Sequence, residues 1–141
     1  MAAAAPVTTK GLEGIVAAET RMSHVDGQAG ELIIGGYALD EIAGRATFEE
    51  VCYVLWHLAL ENKADLPTSA QLAALRQEIG TLRPLPPPVL SIIKAAKDAP
   101  PMDALRMSVA ALSLDDPNPK DESLASNFRR AKTLTARAPT Y

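Results

Sequence analysis

The side chains that could carry nucleophilic, acid–base or metal chemistry are few: one cysteine, Cys52, two histidines, His24 and His57, and three adjacent carboxylate pairs, Asp40-Glu41, Glu49-Glu50 and Asp115-Asp116. A nucleophilic thiol needs a base or cation to hold it as thiolate, and the sequence places none near Cys52. A zinc site needs a Cys/His cluster at ligand spacing, which this chain lacks. Adjacent helical residues point about 100° apart, so the paired carboxylates do not converge on one reacting atom. There is no Gly-rich phosphate loop, no G-x-S-x-G elbow and no H-E-x-x-H. Cys52 is therefore expected as a small buried hydrophobe, His57 as a hydrogen-bonded structural histidine, and the carboxylates as caps and solvated charges. No residue is assigned a catalytic, cofactor-binding or metal-ligating role.

The elements that would have to position any site follow from composition. At 141 residues the chain predicts one domain, and with 48% apolar but only 4% aromatic residues its core must be built from Ala, Leu, Val and Ile. Such a core favours helices over a β-sandwich. The formal net charge of −3 does not favour a phosphate backbone, so no nucleic-acid partner is expected. Residues 1–70 carry 4 basic and 10 acidic side chains, and residues 71–141 carry 10 and 7, a division that fits solvated helix faces or complementary segments. A single cysteine excludes an internal disulfide and points to a reducing cytoplasm. Met1 to Pro6 lacks the basic flank and apolar core of a signal peptide, and no stretch reaches membrane-spanning length.

Along the chain, Ile15-Val16-Ala17-Ala18 and Leu32-Ile33-Ile34, set off by Asp26-Gly27, Ala29-Gly30 and Gly35-Gly36, predict a small antiparallel hairpin sheet. Leu39 to Ala43 reads as one helical turn ended by Gly44. Thr47-Phe48-Glu49-Glu50 is a capping box opening a helix whose Phe48, Val51, Cys52, Leu55, Leu58 and Ala59 share a face. Thr68-Ser69-Ala70-Gln71 is a second box, opening a helix with Leu72, Leu75 and Ile79 inward and Gly80 as its end. Pro86-Pro87-Pro88 places a proline in the first turn of a fourth segment, with Val89, Ile92, Ile93 and Ala96 inward. Met102 to Leu114 is a helix with Met102, Leu105, Val109 and Leu112 inward and small residues Ala104, Ser108, Ala110 and Ala111 beside them. Asp121 caps a last helix with Leu124, Phe128, Ala131 and Leu134 inward, and its cations Arg129, Arg130, Lys132 and Arg137 complement the helix dipole. The expected fold is mainly α, a small N-terminal β-hairpin region followed by about five helices.

An ordered series of segments resembles the N-terminal part of bacterial citrate synthases and 2-methylcitrate synthases. Lys10 to Thr20, Ser23 to Gly27 and Glu31 to Ala43 resemble the family's N-terminus. Thr47 to Trp56 resembles its "FEEV-x-YLL" helix, Leu66-Pro67-Thr68 its "LPT", Pro101 to Arg106 its "hPMd-x-LR", and Ala131 to Thr140 its "A-x-x-L-x-A-x-x-PT". Departures are Ile34-Gly35-Gly36 in place of Tyr-Arg-Gly, extra residues around Leu60 to Ala64, and Ala99-Pro100 where a histidine usually precedes Pro-Met.

The resemblance implies a flexible stretch at 1–9 and, over 10–141, part of a citrate synthase-like large domain. The family reaction condenses acetyl-CoA with oxaloacetate and water to citrate and CoA, a step of the tricarboxylic acid cycle. The family's catalytic His, His and Asp, its carboxylate-binding Arg residues and most CoA contacts lie beyond the point matched by Tyr141. His24 and His57 match none of them. The chain alone is thus expected to bind no cofactor and to turn over no substrate. Helices 102–114 and 121–138 map onto helices of the family's dimer interface, so the expected partner is a second subunit or the remaining C-terminal portion. A helical module pairing with a full-length citrate synthase, and a remnant without function, are the alternative readings.

Overall fold

The computed structural model describes residue 16, residues 18–61 and residues 65–141. The expectation of a flexible stretch at 1–9 falls outside these, as do Ile15, Ala17 and most of the extra residues near Leu60 to Ala64. Strands β1 (Ser23–Asp26), β2 (Glu31–Ile34) and β3 (Tyr37–Ala38) form one antiparallel sheet in that order. Asp26 pairs with Glu31 and Ser23 with Ile34, and the Asp26 carboxylate closes the turn by accepting from the N–H groups of Gln28 and Ala29, each at 2.9 Å. Gly35 and Gly36 then take φ values of 59° and 90°, the positive angles that a two-residue hairpin loop between Ile34 and Tyr37 demands. The predicted hairpin is present, but its first strand is Ser23–Asp26; of the apolar run at 15–18, Val16 and Ala18 lie in no strand and Ile15 and Ala17 fall outside the described residues. Ser23–Asp26 takes that place because the turn at Asp26 fixes the register, whatever the hydrophobicity of the strand.

Helix α1 (Leu39–Ile42) is the single predicted turn, followed by Gly44 at φ 73°. Helix α2 (Phe48–Glu61) opens on the predicted capping box: the Thr47 N–H and hydroxyl donate to Glu50 Oε2 at 2.7 Å, and the Glu50 N–H donates back to Thr47 Oγ1. Its buried residues are Val54 and Leu58, while Phe48 and Ala59 are exposed. The inward face is thus turned from the predicted one, since Val54 is the side chain that fits beneath the glycine turn of the sheet. Helix α3 (Ser69–Leu82) carries the second box on Thr68 and Gln71, with Leu75 and Ile79 buried. It runs two residues past Gly80. Pro84, which lacks the N–H that would continue the ladder, follows its end.

Helix α4 (Pro87–Ala95) starts with prolines in its first turn, as expected, and α5 (Pro101–Ala111) does the same before tightening into a 3₁₀ turn over Leu112–Asp115. Helix α6 (Leu124–Arg137) is capped by Ser123, whose hydroxyl accepts from the Ser126 N–H, and not by Asp121. Asp121 instead accepts from the Ser123 N–H at 2.9 Å and so fixes the capping residue. A 3₁₀ turn at Ala138–Thr140 leads to Tyr141.

The apolar interior is divided. Leu75, Ile79 and Ala136 pack with Tyr53, Trp56 and Leu82, joining α2, α3 and α6. Val89, Ala111 and Leu112 pack with Leu85, Ile92, Ile93 and Tyr141, joining α4 and α5. The small residues Ser108 and Ala111 are the buried ones on α5; of the predicted inward stripe Leu112 is buried just past its end, while Met102 is 73% exposed and Leu105 and Val109 are each 37% exposed. On α6, Ser126 and Ala136 are buried, Phe128 and Ala131 are half-buried, and Leu124 and Leu134 are exposed. Helical spacing identifies an apolar row but not which neighbour covers it. Here Ala136 meets α3 and Ala111 meets α4, turning the longer rows outward.

A side chain at Gly35 would place its Cβ 2.7 Å from Val54 Cγ1, at a φ that L-residues rarely adopt. Gly35→Ala is expected to lower stability by about 2 kcal/mol or more, combining the left-handed backbone cost with overpacking. Gly36→Ala, with open space around it, bears only the backbone cost of about 1 kcal/mol. Urea midpoints at unchanged m-value read the difference.

Candidate functional site

The groups singled out for chemistry do not come together. Cys52 is half-buried, and its thiol is pushed up, first by burial and then by the Glu49 charge, away from a reactive thiolate. His57 lies within 2.9 Å of the Tyr53 carbonyl through Nδ1 and stacks on the Tyr53 ring at 3.8 Å, the structural role expected of it. His24 sits exposed on β1 opposite Ile33. Glu41 and Glu50 act as N-terminal caps, accepting from the N–H groups of Ala38 and Thr47, and Glu49 lies 3.8 Å from Arg76. No group of three or more His, Cys, Asp or Glu residues could hold a metal among the described residues. None of their helices is long and apolar enough to cross a membrane.

A groove of about 500 Å³ lies between α5 and α6. Val109, Ala110 and Leu112 form one wall, Thr133 and Leu134 the other, and Leu82 lies at its base. Its polar edge is an ionic cluster that sequence reasoning did not anticipate. Asp116, only 12% exposed, accepts from Arg129 Nη2 at 2.8 Å and from Arg130 Nε at 2.6 Å. Arg130 also donates to the carbonyls of Asp121 and Asn118, so one guanidinium pins the whole connector between α5 and α6. Asp115 takes Arg137 Nη1 at 2.8 Å, and Arg137 Nε donates to the Leu82 carbonyl. Lys132 pairs with Glu78 of α3 and lies over the Phe128 ring, which meets Trp56 edge-on. The α6 cations are thus partnered by carboxylates and carbonyls, and only Arg137 lies in the last turn, where the dipole acts. Adjacency in sequence had set Asp115 and Asp116 aside. The signal that could have found them is three arginines on one helix following two carboxylates across a short connector.

The hydrogen bonds from Arg129 and Arg130 hold the Asp116 carboxyl far below the usual carboxylate range. Asp121 is lowered as well, chiefly by the Ser123 N–H. Tyr141 moves the other way: burial raises its phenol, and its hydroxyl oxygen has no partner. These groups order a connector and frame a groove. They do not form a nucleophile–base pair or an oxyanion site.

A short antiparallel sheet leading into six helices, with a groove between the last two, defines a helical scaffold of known type. The family model described as "Citrate synthase, C-terminal domain" matches residues 11–141, and the chain belongs to the citrate synthase family. It is 38% identical over 136 residues to the citrate synthase of Haloferax volcanii, covering 93% of this chain and 34% of that protein. The 2-methylcitrate synthase of Mycobacterium tuberculosis is 33% identical over 136 residues, covering 96% and 33%. The crystal structure of citrate synthase from Pyrobaculum aerophilum superposes with a TM-score of 0.73 at 31% identity over 92% of this chain and 33% of that one. The chain therefore spans about a third of the length of these relatives.

Asp116 binds its proton less tightly folded than unfolded. Its pairing therefore contributes stability above the ordinary Asp pKa of about 3.9, and that contribution is lost as pH falls through the depressed folded-state value. In thermal unfolding followed against pH, the gap between the parent chain and Asp116→Asn should be widest near neutrality and narrow below about pH 4. A gap that stays constant across this range would contradict the assignment.

Proposed function

We propose that this chain is the N-terminal scaffold portion of a citrate synthase-type acyltransferase, and that it presents α5 and α6 to a second copy while contributing no catalytic group itself. The observation that carries the reading is an exposed apolar row on α5, Met102, Leu105 and Val109, which runs into the groove at Val109, where Leu134 of α6 is exposed on the other side. A helix pair whose longer apolar side chains face water next to a groove is built for another helix to cover it. Small residues on the same helices, Ala110 among them, allow close approach. The similarity to citrate and 2-methylcitrate synthases over a third of their length supports the family reaction as that of the whole enzyme: acetyl-CoA or propionyl-CoA, oxaloacetate and water giving the tricarboxylate and CoA. A cytoplasmic homodimer is the setting this reading implies.

Activity and assembly test separate halves of the proposal. The purified chain given acetyl-CoA and oxaloacetate should release no CoA thiol above the uncatalysed background, and enzyme-like release would overturn the non-catalytic assignment. Sedimentation should show a dimer, and Leu105→Asp should weaken it about tenfold or more, with circular dichroism unchanged. Pairing with a full-length citrate synthase in preference to itself would favour the module reading. A strictly monomeric chain would remove the assembly half.

A further inference from the structure

We propose that Arg137 is a positioning residue that sets the width of the α5/α6 groove by tying two separately packed helical units together. The inference concerns this chain's own geometry and holds whichever helix covers the groove. The first unit, α2, α3 and α6, closes on Leu75, Ile79 and Ala136. The second, α4 and α5, closes on Val89, Ala111 and Leu112. Helix α6 packs chiefly on α3, and α5 on α4, and the cavity lies between the two pairs. Each unit has its own apolar core, so neither core fixes the distance between α5 and α6.

What spans the gap is polar, together with the chain's return through Tyr141 to the α4–α5 core. Arg137, 12% exposed, leaves the last turn of α6 and bonds on one side to the Leu82 carbonyl at the end of α3, at 3.1 Å, and on the other to Asp115 beyond α5, at 2.8 Å. Leu82 lies in the last turn of α3, where carbonyls have no partner within the helix, so the guanidinium satisfies it and complements the dipole. Asp116, the next residue along, holds Arg130, which lies seven positions and about 10 Å before Arg137 on the α6 axis. Two neighbouring carboxylates therefore grip α6 at two heights. The Asp116 contact acts as a pivot on the connector, and the Asp115 contact acts as the stay that stops α5 swinging about it. Only arginine serves here, because its planar fork reaches two acceptors in different directions at once, which a lysine ammonium on a flexible stem does not reproduce.

The test measures the gap directly. In a Cys52→Ser background, spin labels at Ala110→Cys and Thr133→Cys stand on opposite walls of the groove, and labelled chain is diluted with unlabelled chain so that only distances within one molecule are read. The parent is expected to give one narrow distance distribution. Arg137→Met and Asp115→Asn should each shift it to longer distances and broaden it, and Arg137→Lys should fall between, with cooperative thermal unfolding retained in all three. Arg106→Met, which breaks only the exposed pair with Asp103 on α5, should leave it unchanged. If Arg137→Met does not fold, Asp115→Asn and Arg137→Lys carry the measurement. Parent-like distributions in the variants that fold, or equal widening in Arg106→Met, would overturn the proposal.

Discussion

Two apolar clusters of three buried residues each cannot, by hydrophobic burial alone, specify how they sit relative to one another. The relation between them depends on the charged seam in which Asp115 and Asp116 meet Arg129, Arg130 and Arg137. Partly buried charges cost desolvation, and here that is offset by hydrogen bonds to the two carboxylates and to the carbonyls of Leu82, Asn118 and Asp121. The seam orders the connector, supports the Ser123 cap through Asp121, and frames the groove. With so few aromatic residues, the large side chain that joins the polar seam in spanning the two units is Tyr141, which follows α6 and packs on the α4–α5 cluster.

Features governed by local chemistry were legible from the residues. The two capping boxes, the prolines opening α4 and the glycine pair ending β2 all read correctly, because each rests on a backbone requirement met within four residues; the short strand β3 that follows the glycines was not foreseen. The order of motifs identified the family and the fold. Orientation was not legible. The stripe of Met102, Leu105 and Val109 has sound helical spacing, yet α4 takes the neighbouring face of α5, where Ser108 and Ala111 leave room. The helix stop at Gly80 failed because a glycine is tolerated inside a helix when the following residues continue it. The ionic seam escaped notice because its carboxylates and arginines stand 13 to 22 residues apart, a distance that only the fold closes.

The uneven charge along the sequence gains a physical meaning in this light. Among the described residues the ion pairs of α6 draw their carboxylates from residues 71–141, so the basic second half is largely matched within itself. The acidic first half spends several of its carboxylates on backbone N–H groups, at Asp26, Glu41 and Glu50. Charge here serves local order, and the exposed side of α5 is mostly apolar.

Ser108 carries a consequence of its own. It is 2% exposed, and its hydroxyl donates to the Ala104 carbonyl one turn earlier in the same helix, at 2.8 Å. The polar group is thus satisfied without help from any neighbour, and what the site asks of its occupant is volume alone. Alanine or glycine would meet that requirement, whereas a valine would have to push the surrounding helices apart. The spacing on that face of α5 is therefore recorded in the sequence as a limit on size at one position, free of any demand for a particular functional group.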